Sequence, residues 1–196
     1  MQHYYSQEQS SKLSLRQLNV TTRGISLEIY TASGTFSKTK IDTGSLLLIN
    51  SMIIKPGWQV LDLGCGYGVL GLFAAKLAKT SPYLIDINKR AYQLARLNAK
   101  INKIKATVLN GNIYEPVKDK RFDTILLNPP QTAGKDVCMA MIDESISHLK
   151  KSGLLQLVAR PNKGGKSLAS RVQQVFGNIK IIAKKSGYAV YVAKHL

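Results

Sequence analysis

At 196 residues and 44% hydrophobic content the chain can bury one core, expected as a single domain over 1–196, and no run reaches the ~18 apolar residues of a membrane span. Two cysteines and three scattered histidines argue against a disulfide framework or a metal site, and the polar start MQHYYSQEQSSKLS has no secretory apolar segment, so a cytoplasmic location is expected. With 28 Lys+Arg against 11 Asp+Glu the net charge is +17, one-sided enough to call for a polyanionic partner.

The first dozen residues read as a loose arm. LRQLNVTTRGISLEIYTASGTF alternates apolar and polar residues about Thr22-Arg23-Gly24, the pattern of a two-stranded hairpin. IDTGSLLLINSMII puts Asp42 or Thr43 at a helix start, with Pro56-Gly57 closing the helix. Residues 1–56 are thus an arm, a hairpin and a helix ahead of the main unit at 57–196. From Trp58 onward, short apolar runs alternate with amphipathic segments: WQVLDL, GVLGLFAAKLAK, YLIDI, KRAYQLARLNAKIN, ATVLN, FDTILLN, a helix near 134–150, LLQLVA, a helix near 165–176, IKIIAK and YAVYVA. This alternation predicts an α/β fold with a doubly wound, mostly parallel, seven-stranded sheet and a small N-terminal β-hairpin extension. Lys185-Ser186-Gly187 is too short for a crossover, so the last two strands close as an antiparallel hairpin.

LDLGCGYGVLG supports two readings. Gly66-Gly68-Gly71 has the dinucleotide-binding spacing, whereas Asp62-x-Gly64-x-Gly66-x-Gly68 suits an adenosine-bearing sulfonium cofactor. The glycines let the backbone turn sharply and approach a ligand. Asp62 is expected to face the cofactor's cation, and Asp86, ending the next strand, to accept both ribose hydroxyls. Cys65 is a small loop residue with no catalytic role. In LNGNIYEP, Asn112 is either an adenine contact or a turn asparagine.

FDTILLNPPQTAGK decides between the cofactors. It carries Asn128-Pro129-Pro130 to the carboxyl end of a strand, where doubly wound folds place substrates. The Asn128 side-chain carbonyl and the Pro129 backbone carbonyl can each accept an N–H of an amine on a planar ring, turning its lone pair toward a methyl donor. Pro129 and Pro130 hold those acceptors rigid. In TAGKDVCMAMIDESISHLK, the residues Cys138, Met141, Ile142, Ile146 and Leu149 form a buried helical stripe, Lys135 is placed to meet a phosphate, and His148 is a surface cap. No acidic residue follows Glu144, and Lys150, Lys163, Lys166, Lys184 and their basic neighbours recur among apolar residues. This is a folded basic face, for which nucleic acid is the expected partner and a membrane is not.

VLDLGCGYGVLGL, IDIN.RA..LA..N, FD.ILLNPP..AGK and KSLASRVQQVFGNIKIIAKKSGYAVY, together with GTFSKTKIDTGSLLLI, resemble the methyltransferase small-domain family. The likeness is to its archaeal single-domain members and to the catalytic half of bacterial small-subunit rRNA guanine-N2 methyltransferases. The resemblance implies a class I, Rossmann-like fold and use of S-adenosyl-L-methionine. The implied cofactor set is Asp62, Gly64, Cys65, Gly66, Gly68, Asp86, Ile87, Asn112, Ile113 and Asn128, with Asn128-Pro129-Pro130 at the target amine. Asn112 replaces the usual acid, and Gln131 stands where many relatives carry a base-stacking aromatic, a role that Phe36 is a candidate to fill. Lys135 and Lys163 complete the expected substrate-binding set. The expected acceptor is a guanine amino group in ribosomal RNA or the small subunit. A protein glutamine amide, a DNA adenine and a non-catalytic RNA-binding role are the alternatives.

Overall fold

The computed structural model describes residues 14–33, 35, 40–130 and 134–196. Phe36 and Gln131 lie outside the described residues. Strands β1 (Leu15–Thr22) and β2 (Ile25–Ala32) pair antiparallel around an Arg23-Gly24 turn in which both residues have positive φ. Helix α1 (Thr43–Ser51) follows, capped at its start by the Asp42 carboxylate, which accepts the Ser45 N–H at 2.7 Å. The main unit then runs β3 (Val60–Leu63), α2 (Val69–Ala78), β4 (Tyr83–Asp86), α3 (Lys89–Ile101), β5 (Thr107–Asn110), β6 (Phe122–Leu127), α4 (Lys135–Asp143), β7 (Leu149–Ala159), α5 (Lys166–Phe176), β8 (Lys180–Lys185) and β9 (Tyr188–Lys194).

Seven strands form one sheet in the order β5-β4-β3-β6-β7-β9-β8, with β9 antiparallel to both of its neighbours. Period-two alternation splits the strand residues between two apolar layers. Val60, Leu84, Leu126, Val158 and Val190 pack with α1, α2 and α3, while Leu61, Ile85, Ile125, Leu157 and Tyr191 pack with α4 and α5. Winding proceeds from β3 outward to β5 and then reverses to β6, so a crevice opens between the carboxyl ends of β3 and β6.

The hairpin is fastened to α3 by side chains that imitate a strand. Asn98 accepts the Tyr30 N–H at 2.7 Å and donates to the Tyr30 carbonyl at 2.9 Å, and Asn102 treats Glu28 the same way. Asn98 also donates to the Tyr67 carbonyl at 2.9 Å, tying the hairpin to the glycine loop.

Three sequence expectations change. The helix expected near 134–150 stops at Asp143, and 144–148 form a 3₁₀ turn because the Ser145 and Ser147 hydroxyls bond back to the Ile142 and Glu144 carbonyls. Leu149 therefore opens β7 instead of ending the helix. His148 is buried, stacked on Tyr114 with ring centroids 4.3 Å apart, and is not a surface cap. Helix α1 ends well before Pro56-Gly57, since buried Gln156 takes both the N–H and the carbonyl of Ile53, at 2.8 and 2.7 Å, and draws the chain out of helical geometry.

Candidate active site

The β3–α2 loop turns through Gly64, Gly66 and Gly68, whose φ values of 68°, 57° and 88° lie in the left-handed region. A Cβ on Gly66 would meet nothing within 4 Å, so its absence leaves open space in the crevice. Gly71 has a different reason: a Cβ there would lie 2.1 Å from Leu84, so this third glycine serves packing of α2 on β4 and not a pyrophosphate.

Asp86 closes β4 with one carboxylate oxygen turned to this loop and the other to its own connection into α3. One accepts the Gly66 N–H at 2.7 Å and the other the Asn88 N–H at 2.8 Å, and each keeps a lone pair for a further donor. Burial raises this carboxyl to a pKa of about 6 against the opposing pull of those two N–H bonds. Asp62 is placed otherwise than expected. It is 1% exposed, sits behind the loop, accepts the Gly71 N–H at 2.8 Å, and has one oxygen with no hydrogen-bond partner. Burial lifts its pKa to about 7.

A cavity of about 160 Å³ joins these elements at the reversal crevice. Gly64, Cys65, Gly66, Asp86, Ile87, Asn112 and Ile113 line one side, and Asn128, Pro129 and Pro130 the other. Val137 and Met141 of α4 complete the wall, and Thr35 reaches it from the segment after β2. Asp62 and Gly68 do not line it; Gly68 instead forms the start of α2. Lys135 and Lys163 also lie off the cavity. Lys135 borders a shallow groove between α4 and α5, and Lys163 is exposed on the 161–165 turn.

The orientation of Asn128 is set chemically. Its amide nitrogen donates to Asp42 Oδ2 at 2.9 Å and to Ser45 Oγ at 3.0 Å. A carboxylate only accepts, so the NH₂ must face Asp42 and the carbonyl oxygen is the atom left for the cavity. Asp42 is held in turn by the Tyr188 hydroxyl, which donates to Oδ1 at 3.0 Å, while the Arg160 guanidinium lies over the Tyr188 ring at 4.5 Å. Burial, then the adjoining Asp42 carboxylate, raise the Tyr188 phenol above its ordinary pKa.

The sequence pattern of the methyltransferase small domain matches residues 26–192. The chain belongs to that family. Methyltransferase small-domain proteins use S-adenosylmethionine, and the cavity fits such a group on structural grounds: an open cradle at Gly66 beside a carboxylate with free lone pairs. The chain is 35% identical to Bacillus subtilis "Uncharacterized protein YbxB", covering 98% of each. It is 36% identical to the ribosomal RNA small subunit methyltransferase C of Hamiltonella defensa over 85% of this chain and 50% of that one. The chain thus spans about half the length of such relatives. A T. thermophilus 16S rRNA N2 methyltransferase solved in complex with AdoMet and guanosine superposes with a TM-score of 0.83 at 27% identity, over 95% of this chain and 52% of that one.

Asp42, Ser45 and Tyr188 of this methyltransferase had no functional signal in the sequence beyond a helix start for Asp42. Asp42 and Ser45 meet Asn128 across 86 and 83 residues of chain, and Tyr188 meets Asp42 across 146, beyond the reach of any local spacing.

Proposed function

We propose that the protein transfers a methyl group from S-adenosylmethionine to the exocyclic amino group, N2, of a guanine in small-subunit ribosomal RNA. The observation that carries this reading is the fixed amide of Asn128, which offers an oxygen and no N–H to the cavity. That polarity suits a substrate that donates. The oxygen would accept one N–H of the amino group, and the Pro129 carbonyl the other, rotating the nitrogen lone pair out of conjugation with the ring. The bound cofactor supplies an electrophilic methyl on sulfur. The nitrogen held by Asn128 and Pro129 would take that methyl group, with the cofactor left as a neutral thioether, and would release its proton to water once cationic. No strong base is required, and alignment supplies most of the acceleration, for which ~7–11 kcal/mol is available in favourable cases. Asp86 would accept the ribose hydroxyls, Gly64 and Gly66 would let the backbone approach the cofactor, and Cys65, Ile87, Asn112 and Ile113 would enclose its adenosine end.

The relatives named for ribosomal RNA and the guanosine in the T. thermophilus complex support the choice of acceptor, as does the net charge of +17. The test is incubation with tritiated S-adenosylmethionine and, separately, ribosomal RNA, small subunits, transfer RNA, DNA and ribosomal proteins, followed by nucleoside analysis. Label is expected in N2-methylguanosine from ribosomal RNA, and Asn128→Ala should abolish it while cofactor binding persists. Label in a protein amide, or full activity in Asn128→Ala, would falsify the assignment.

A further inference from the structure

Charge is divided unequally along the carboxyl edge of the sheet. The stretches that line the cavity after β3, β4 and β5, residues 64–68, 87–88 and 111–114, carry no Lys, Arg, Asp or Glu, so the nearest charge to the cavity there is Asp86; Lys89 and Arg90 open α3 beyond them, and Glu115, Lys118, Asp119, Lys120 and Arg121, of mixed sign, complete the run to β6. On the other half, residues 128–135 after β6, 160–166 after β7 and 184–187, the end of β8 with its turn to β9, contain Lys135, Arg160, Lys163, Lys166, Lys184 and Lys185 and no acid. The register places all three on one edge. Ala159 at the end of β7 pairs with Ala189 of β9, which pairs with Lys184 of β8, so the last turn lies level with the mouth-side loops. Lys135, Lys163, Lys166, Lys184 and Lys185 are exposed, and Arg160 is half-buried against Tyr188. Asp136, the first acid beyond this set, sits in the opening turn of α4.

Resting on the RNA reading above, we infer that this crescent is the track for the phosphate backbone of the strand carrying the target nucleotide, running from Asn128 outward across β6, β7 and β9 to the β8 edge. Three inter-strand steps of ~4.8 Å give a path of ~14 Å, about four stacked nucleotides at ~3.4 Å each. The cavity-lining stretches after β3, β4 and β5 are left to the cofactor. A flipped base entering between the two halves keeps its backbone on the cationic side, where neutralising phosphates offsets part of the unstacking cost.

The test compares two double variants of equal charge change. Lys163→Gln/Lys185→Gln removes cations from the track, and Lys151→Gln/Lys194→Gln removes exposed cations from the opposite edge, where Lys151 lies near the start of β7 and Lys194 ends β9. Binding of fluorescently labelled small-subunit ribosomal RNA is followed by anisotropy from about 0.05 to about 0.3 M KCl, together with KM and kcat for methylation. The track variant should raise KM for RNA about tenfold and flatten the log–log salt slope by about 0.7 per lysine, with kcat and cofactor affinity unchanged. The opposite-edge variant should behave as wild type. Equal weakening by both pairs, or a larger effect from the opposite edge, overturns the track while leaving the RNA reading standing. Wild-type protein that binds no RNA overturns both.

Discussion

Asp42 makes three hydrogen bonds with two oxygens: it caps α1 through Ser45 N–H, fixes the Asn128 amide and receives the Tyr188 hydroxyl. Replacing it separates a structural role from a positioning one. Asp42→Ala should cost about 1 kcal/mol through the lost cap and leave the Asn128 carboxamide free to rotate, so that kcat falls about 100-fold while the cofactor KM stays put. Asp42→Asn keeps an oxygen for both Ser45 and Asn128 and turns its NH₂ to the Tyr188 oxygen, so its kcat should stay within about threefold of wild type. Steady-state kinetics alongside thermal melts decide the matter. If Asp42→Ala melts earlier but turns over normally, the residue is a cap and nothing more. Asp86 gives a second test at this scale. On the proposed cofactor placement its carboxyl, raised to about 6, would accept ribose hydroxyls only when ionised, so cofactor affinity should hold above pH 6 and weaken about tenfold for each pH unit below it. Titration calorimetry between pH 5 and pH 8 measures this. Asp86→Asn should bind weakly at every pH, and a wild-type affinity that does not change across the range rules out Asp86 as the titrating acceptor.

The hairpin owes its place to an element that was not designed to pair with it by strand geometry. Asn98 and Asn102 on α3 supply the donors and acceptors that a neighbouring strand would give β2, and Asn98 shares one N–H with the Tyr67 carbonyl of the glycine loop. Asn98→Leu strands the Tyr30 N–H and carbonyl and the Tyr67 carbonyl, at a cost of about 1–3 kcal/mol for each group left buried without a partner. Hydrogen exchange should then quicken in β1 and β2 before it does in β3 and β4, and cofactor affinity should drop with the loosened loop. Unchanged protection of the hairpin would mean that its apolar contacts alone hold it. The hairpin itself was legible in the sequence, as were all seven strands of the sheet, because the hairpin's alternation, the short apolar runs of the sheet and the Arg23-Gly24 and Ser186-Gly187 turns are local patterns. Helix ends were less so. Where α4 stops depends on serines that bond backward, and where α1 stops depends on Gln156, which lies 103 residues from Ile53. Loop residues lining the cavity, such as Gly66, Asp86, Asn112 and Asn128, followed from motifs, whereas Thr35, Ser45, Val137 and Met141 did not, and Asp62 shows the limit of spacing: a motif gives the position of a carboxylate along the chain, not the side of the loop on which its oxygens end.

At the scale of the whole molecule the net charge of +17 acts in two directions. It raises attraction to a polyanion, and it strains the folded chain by self-repulsion, since folding brings cations closer together than they stand in the expanded chain. The ion pairs of Lys150 with Asp123 and of Arg171 with Asp143 are both partly exposed and offset little of that. Salt screens both effects, with a Debye length of ~10 Å at 0.1 M shrinking to ~3 Å at 1 M. Raising KCl from about 0.05 to about 0.5 M should therefore increase the thermal midpoint of the free protein while weakening RNA binding, two opposite slopes from one cause. Chloride is the appropriate anion, because sulfate would stabilise the fold by exclusion from its surface whatever the charge. Differential scanning fluorimetry in KCl and NaCl gives the first slope and should be the same for both salts. A midpoint that falls or stays flat as salt rises would mean that the cations are spaced widely enough not to repel. The surplus charge would then be an affinity device carried without cost to the fold.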